Sequence, residues 1–206
     1  SDAGFRARAR EAARRVLLLK LRYLRPKGQA GLVPDLKRLS ERLPDREGRA
    51  FFAEQAFRGA TAFNAEALPL AASGSRRLLL ASPLPDFFKA ASPVYPGAAA
   101  FKYSYRPENA ALWAELSAFD RAARAADTVV VCVTNEAGMD YVERARALGK
   151  RVAVVCLLSP EPLARLGKGE AAVAVYGDSL ACMEAGLAVL SGKEVAQGRL
   201  PLRLEP

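Results

Sequence analysis

Histidine is absent from all 206 residues of the sequence. This excludes a Ser-His or Cys-His nucleophile system and a zinc ion bound through histidine. Cysteine is scarce: Cys132 and Cys156 fall within apolar, strand-like runs, and Cys182 falls within a predicted helix. An odd number of cysteines in such surroundings indicates small buried side chains, not a disulfide framework or a metal site. We therefore predict no metal and no cofactor in this chain.

Long apolar runs are also lacking. The longest, 129–133 and 152–158, have the length of strands, whereas a membrane-spanning helix needs roughly 20 apolar residues. Because 51% of the residues are apolar, the chain can still form a substantial core. The sequence predicts a globular protein without a membrane partner. It begins at Ser1 and not at a methionine, so we expect any targeting signal to lie upstream.

Acidic residues are outnumbered, and the net charge is +9. A nucleic-acid-binding protein would cluster basic and aromatic residues on one surface. Only the first predicted helix is dense in arginine, and charge alone predicts no more than non-specific attraction. We expect solvated arginine-rich faces and no nucleic-acid partner. The arginines of that first segment are Arg6, Arg8, Arg10, Arg14, Arg15, Arg22 and Arg25.

Several catalytic and nucleotide-binding motifs are missing. No G-x-G-x-x-G opens a helix after a strand, and the sequence has neither a Walker loop nor a G-x-S-x-G elbow. A dinucleotide, nucleotide or α/β-hydrolase function therefore has no support from individual residues. A compatible fold does not by itself supply any of these functions.

The first quarter of the chain reads as helix and linker. Apolar residues at helical spacing predict a helix over 4–24, apolar on more than one side as at a domain junction. Pro26 and Gly28 are predicted to end it, and 26–48 reads as a linker with one short helical piece over 36–43. A second amphipathic helix should present Phe52, Ala56, Ala60 and Phe63 on one face. We predict a helix and linker over 1–48 and a separate domain over 49–206.

From residue 76 the pattern alternates between strands and helices. We predict strands over 78–81, 98–103, 129–133, 152–158 and 171–176. The predicted helices cover 108–126 and 139–148, and a last helix, capped by Asp178 or Ser179, runs to 190. This order predicts an α/β fold: a three-layer α/β/α sandwich with a mostly parallel sheet, preceded by an N-terminal helical linker.

Polar residues follow three of the predicted strands, at the carboxyl edge where open α/β sheets bind ligands. The first loop holds Asn135 and Glu136, of which Glu136 is either an acid/base group or a carboxylate favoured by the helix dipole. Ser159 lies in a Ser-Pro-Glu-Pro segment that reads as a rigid turn. Tyr176 is either a packing residue or a platform for a ligand ring. Asp178 is either a ligand contact or a helix cap.

The second half carries a specific resemblance. Residues 149–155, GKRVAVV, resemble the GKPVVVV strand of family 3 glycoside hydrolases. Ser159-Pro160, Tyr176-Gly177, VLSGK over 189–193 and QGRLPL over 197–202 follow in the order of that family. Upstream, AEQA over 53–56, Thr61 and LPL over 68–70 are similar to the segment that leads into the C-terminal domain. Residues 13–20, ARRVLLLK, are similar to the helix that ends the preceding barrel.

This resemblance implies the C-terminal domain of a retaining glycosidase for β-linked glucosides or N-acetylhexosaminides. In this family the nucleophile is an aspartate of a (β/α)8 barrel, so the chain alone should be inactive. The resemblance implies two partners, that barrel and a carbohydrate substrate. The domain would help to wall the sugar pocket. The residues expected to contact the substrate are Asn135, Glu136, Ser159, Tyr176 and Asp178.

Two departures favour the β-N-acetylhexosaminidase branch over the β-glucosidases. Ser82-Pro83-Leu84-Pro85 replaces a glycine- and serine-rich loop, and 135–141 is short where β-glucosidases carry the loop of their acid/base glutamate. Glu136 is thus a weak catalytic candidate. The sequence leaves two alternatives open: an independent flavodoxin-like binding module, or a degenerate family member that is now structural. It also leaves open the sugar, the linkage, the oligomeric state and the compartment.

Overall fold

A computed structural model describes residues 2–24, 36–43, 45–70, 77–106 and 109–204. The chain divides into two compact units, Ser1–Arg46 and Glu47–Pro206. The helix end predicted at Pro26 and Gly28, and Arg25 with it, lies outside the described residues. Among the described helices, none is both long enough and apolar enough to cross a bilayer.

The first unit contains two helices, α1 (Ala3–Leu24) and α2 (Leu36–Arg42). Alanine, leucine and arginine, all strong helix formers, dominate α1, and Arg15 pairs with Glu11 one turn earlier at 3.1 Å. The large apolar side chains that the structure describes in α1 are at least half exposed, so the rest of this unit does not cover them. The exposed apolar residues of α1 are Phe5, Val16, Leu17, Leu18, Leu19, Leu21 and Tyr23.

The second unit alternates strands and helices after an opening helix, α3 (Arg46–Gly59). Its strands are β1 (Thr61–Phe63), β2 (Leu78–Ser82), β3 (Ala99–Lys102), β4 (Thr128–Val133), β5 (Arg151–Leu157) and β6 (Ala171–Val175). Its further α-helices are α4 (Pro85–Ala91), α5 (Asn109–Arg124), α6 (Ala137–Ala147) and α7 (Leu180–Ser191). Short 3₁₀ helices span Ala65–Ala67 and Glu161–Arg165.

The six strands form one sheet in the order β1-β6-β5-β4-β2-β3, in which only the β1–β6 pair is antiparallel. One apolar cluster packs α4 and α7 on one face, and a second packs α5 and α6 on the other. The predicted α/β/α sandwich with a mostly parallel sheet, preceded by an N-terminal helix, is confirmed.

Strand β4 is fully buried because its apolar run serves both faces of the sheet. In β4, Val130 and Cys132 join the cluster of α4 and α7, while Val129, Val131 and Val133 join the cluster of α5 and α6. Successive side chains of a strand point to opposite faces, so a continuous apolar run is what a sheet covered on both sides requires.

Three local features differ from the sequence-based expectations. Helix α3 ends at Gly59, so Phe63 lies in β1 and not on the helix, and Phe52 is 68% exposed. Helix α4 occupies a segment that carries no strong helical pattern. It begins at Pro85, where the missing N–H is harmless because the first amides of a helix have no intrahelical partner. The predicted rigid turn at Ser159 leads into a 3₁₀ helix of five residues, Glu161–Arg165.

The QGRLPL segment has a structural role beside β1. The backbone N–H of Gly198 donates to the carbonyl of Ala60 at 2.9 Å. A Cβ at this position would lie 2.3 Å from both the Gly59 carbonyl oxygen and Thr61 Oγ1. Only glycine permits such an approach, which places the C-terminal segment against the edge of the sheet.

Candidate functional site

The parallel strands β2 to β6 all end at one edge of the sheet, and the loops after β4, β5 and β6 are neighbours there. The strand order reverses between β2 and β4, because β2 leads into α4 on one face and β4 leads into α6 on the other. Open α/β sheets bind ligands outside the carboxyl ends of their strands, at such a reversal. This edge is the candidate functional site.

Asn135 lies at the reversal, directly after Thr134. Its Nδ2 donates to the carbonyl of Tyr105 at 2.9 Å, which joins the loop after β4 to the loop after β3. Two buried oxygens, Thr134 Oγ1 and Asn135 Oδ1, have no hydrogen-bond partner among the described residues. The structure thus places Asn135 at the edge with one free acceptor.

A polar network missed by the sequence analysis supports these loops. Tyr103 donates to the carbonyl of Cys132 at 2.5 Å and stacks on Tyr141 with 4.1 Å between the ring centroids. Glu115 accepts hydrogen bonds from the backbone and hydroxyl of Ser104 and from the Tyr141 hydroxyl. Burial acts to raise the Glu115 pKa, but these hydrogen bonds outweigh it, and the pKa is lowered. The sequence does carry one indication of this network: Glu115 follows Leu112 by three residues, which places it on the same inward face of α5.

Glu136 is exposed and ion-paired. It precedes α6 without capping the helix through its side chain, and it binds Arg165 at 2.8 Å. Arg165 also binds Glu143. Nearby, burial raises the pKa of Asp140, and the charges of Glu143 and Glu136 add to this. Glu136 and Glu143 therefore both accept hydrogen bonds from the guanidinium of Arg165.

Ser159 and Asp178 are both exposed. The backbone oxygen of Ser159 accepts from the Cys156 thiol at 3.0 Å, and its hydroxyl accepts from the backbone N–H of Glu161 at 3.4 Å, so Ser159 shapes a turn. Of the two predicted caps of α7, the structure uses Ser179, whose Oγ accepts from the backbone N–H of Cys182 at 3.3 Å. Asp178 lies beside this cap.

Tyr176 lies at the end of β6 and is 41% exposed. Its hydroxyl donates to Thr61 Oγ1 at 3.1 Å, and Thr61 donates in turn to the carbonyl of Gly59 at 2.9 Å. The ring borders a cleft of about 650 Å³ between α3 and the start of α7. Asn135, Glu136, Ser159 and Asp178 are not among the residues that line this cleft. Of the five predicted site residues, Tyr176 is therefore the one that lines this cleft.

The cysteines are free thiols. Burial raises the pKa of Cys132 and of Cys156 to about 12, so both stay protonated at neutral pH. In the described part of the chain, no three histidine, cysteine, aspartate or glutamate residues are grouped so that they could hold a metal ion.

No family model matches the sequence. No curated protein matches it either. Among solved structures, a family 3 β-N-acetylglucosaminidase from a Paenibacillus species aligns with a TM-score of 0.68 and 18% identity, over 94% of this chain and 39% of that one. A fungal multi-domain family 3 β-N-acetylglucosaminidase aligns with 0.61 and 18%, over 84% and 20%. A β-glucosidase from Listeria innocua aligns with 0.59 and 16%, over 75% and 26%.

The chain thus spans well under half the length of each of these structures. TM-scores of 0.59–0.68 establish a likeness of fold, and with identities of 16–18% the likeness extends to the fold alone. The neighbours include both N-acetylglucosaminidases and a glucosidase, so they do not distinguish the two branches. In fold, this chain corresponds to one region of multi-domain family 3 glycoside hydrolases.

Proposed function

We propose that the chain is the C-terminal, non-catalytic domain of a retaining family 3 glycoside hydrolase that acts on β-linked N-acetylhexosaminides or glucosides. The observation that carries this proposal is the alignment over 94% of the chain with 39% of a family 3 enzyme. The family-like motifs over 149–202 occur in the same chain and support it independently. A preceding (β/α)8 barrel would supply the nucleophile, and residues 1–48 would belong to its end. The exposed apolar side chains of α1 support that assignment, because a barrel would cover them.

The arrangement around Glu136 supports a non-catalytic role. A retaining glycosidase needs two carboxyl groups about 5–5.5 Å apart that face each other across the glycosidic bond. Glu136 and Glu143 instead share Arg165 from the start and the body of the same helix. In this proposal the carboxyl-edge residues Asn135, Glu136, Ser159, Tyr176 and Asp178 help to wall the sugar pocket.

The short loop after β4 favours the N-acetylhexosaminidase branch. Strand β4 ends at Val133 and α6 begins at Ala137, so three residues connect them. This connection leaves no room for a long loop carrying an acid/base glutamate. The proposed substrate is therefore a β-N-acetylhexosaminide in preference to a β-glucoside.

Hydrolysis of nitrophenyl glycosides tests the proposal. The full-length protein and the isolated chain are assayed with 4-nitrophenyl β-N-acetylglucosaminide and 4-nitrophenyl β-glucoside. We expect turnover by the full-length protein, faster on the first substrate, and none by the chain alone. Turnover by the chain alone, or none by the full-length protein, would contradict the proposal.

A Glu136→Gln variant of the full-length protein tests the role of this residue in the same assay. Loss of a general acid/base group typically costs about 10²–10⁴ in rate. We expect kcat to fall less than about 10-fold, as a pocket wall would predict. Glu143→Gln is the matched control because it removes the other carboxylate on Arg165. A loss of about 100-fold or more in Glu136→Gln alone would make Glu136 catalytic.

The second candidate is an independent flavodoxin-like binding module. The cleft beside Tyr176 favours it, because every lining residue comes from the second unit and the cleft needs no other domain to form. This function predicts saturable binding of a small ligand by a full-length protein that hydrolyses neither nitrophenyl glycoside.

A further inference from the structure

A groove of about 400 Å³ lies between α5 and α6. Its apolar wall consists of Leu112, Trp113 and Leu116 from α5 and Ala147 from α6. Trp113 is the single tryptophan of the sequence and is 70% exposed. Tryptophan is among the residues that contribute most to protein–protein binding, because it offers a large and rigid apolar surface. The groove therefore presents an anchor residue that the described part of the chain leaves largely uncovered.

The length of the groove matches the face of a helix. Asp140 and Ala147 both line it, and they lie two turns apart on α6, about 10 Å along the helix axis. On α5, Leu112 and Leu116 are one turn apart. A partner helix lies in such a groove through apolar residues spaced three and four apart.

Three charged residues line the groove, and two of them have partners. Arg144 is neutralised by Asp120, to which it donates two hydrogen bonds at 2.9 and 2.6 Å. Glu143 binds Arg165, and Arg165 also binds Glu136. One guanidinium thus faces two carboxylates. This side of the groove therefore carries an excess of negative charge, on a protein whose net charge is +9.

Asp140 is the third charged residue. In the part of the chain that the structure describes, its carboxylate forms no hydrogen bond or ion pair. Burial raises its pKa, and the charges of Glu143 and Glu136 add to this, while Arg165 opposes it. A lysine or arginine side chain laid in the groove meets this carboxylate and the Trp113 ring, both of which attract a cation.

We propose that the groove between α5 and α6 binds a basic amphipathic helix of a partner protein. The apolar residues of that helix pack on Leu112, Trp113 and Leu116, and its lysines or arginines face Asp140 and Glu143. Charge complementarity selects this partner, because an acidic helix places like charges beside the two carboxylates. The interaction is independent of the proposed function, since it requires neither hydrolysis nor a bound sugar.

The fluorescence of Trp113 tests this interaction in the 206-residue chain. The probe is the basic amphipathic peptide LKKLLKLLKKLLKL, which has no tryptophan, so the emission comes from Trp113 alone. We expect a blue shift that saturates with a Kd of about 10 μM. Two matched peptides are LEELLELLEELLEL, in which glutamate replaces every lysine, and a peptide of lysine alone. Binding of either with the affinity of the probe would overturn the inference, because charge and apolar surface must act together.

Variants of the chain locate the binding surface by calorimetry. Trp113→Ala should weaken binding about 30-fold, as for a residue at the centre of an interface, and Asp140→Asn about 5-fold, as for an exposed charge pair. Phe52→Ala and Glu184→Gln are the matched controls, since both residues are exposed and neither lines the groove. Their affinity should stay within about twofold of the wild type. Unchanged binding by Trp113→Ala, or an equal loss in the controls, would overturn the inference.

Other occupants of the groove give different results. Quenching of Trp113 by N,N′-diacetylchitobiose, without a response to the basic peptide, would make the groove a sugar site and overturn the inference. Calorimetry on the full-length protein excludes or supports a separate partner. Peptide binding by both proteins supports it, whereas binding by the chain but not by the full-length protein would show that another domain covers the groove.

Discussion

At the scale of single residues, Gly198 shows how a sequence motif can serve packing. Its backbone approaches Gly59 and Thr61 so closely that a Cβ would lie 2.3 Å from an oxygen of each. The glycine therefore lets the C-terminal segment bond to Ala60 beside the edge strand. Gly198 belongs to the QGRLPL motif over 197–202, and in this structure its role is to place that segment at the edge of the sheet.

Gly198→Ala is expected to destabilise the protein. The new methyl group must push the segment away from β1, and overpacking of this kind costs about 1–3 kcal/mol. Urea unfolding followed by circular dichroism measures the loss. Gly167→Ala is the control, because its Cβ would make only an ordinary contact, 3.6 Å from Glu170 Oε2. Equal stability of the two variants would show that the segment near Gly198 yields without cost.

At the scale of elements, the sequence predicts those strands that consist of continuous apolar runs. Strands β4, β5 and β6 were located to within a few residues because each apolar run is buried on both faces. Strand β1 was missed because three residues give too little pattern, and α4 was missed because Pro83 and Pro85 resemble a turn. The sequence also predicts that Tyr176 lies at the ligand-binding edge, because this residue follows directly after a predicted parallel strand. The opposite wall of the cleft, on α3, depends on packing between segments more than 100 residues apart, for which no local signal exists.

The contacts of Glu115 join three elements: the loop after β3, α5 and α6. Because its pKa is lowered in the folded state, its contribution to stability is present above its unfolded pKa of about 4.3. This contribution is lost as the pH falls through the folded pKa, since the unfolded chain then binds more protons. The network therefore adds to the loss of stability in acid.

Tyr141→Phe tests this network. The variant removes one donor to Glu115 and leaves the ring stacked on Tyr103. At neutral pH we expect a loss of about 2 kcal/mol, as for a hydrogen bond to a charged group. The folded pKa of Glu115 should rise, so stability should decline less steeply between about pH 5 and 3 than in the wild type. Urea unfolding across this range measures both effects, and parallel pH profiles would contradict the role of the hydroxyl.

At the scale of the whole molecule, both apolar clusters draw on the second unit alone. Their first members along the chain are Ala56 and Phe63, and their last are Ala196 and Leu204. A domain of about 150 residues buries roughly 70% of the surface that its unfolded chain exposes, enough for independent folding. The exposed apolar side chains of α1 take no part in these clusters.

A fragment of residues 47–206 is therefore expected to fold on its own. Its free energy of unfolding should match that of the whole chain within about 0.5 kcal/mol, the usual range for changes away from a core. Because the fragment lacks the exposed apolar residues of α1, it should also associate less at high concentration. Urea unfolding and light scattering measure the two properties side by side. A fragment that is unfolded, or less stable by several kcal/mol, would mean that residues 1–46 supply contacts that the core requires.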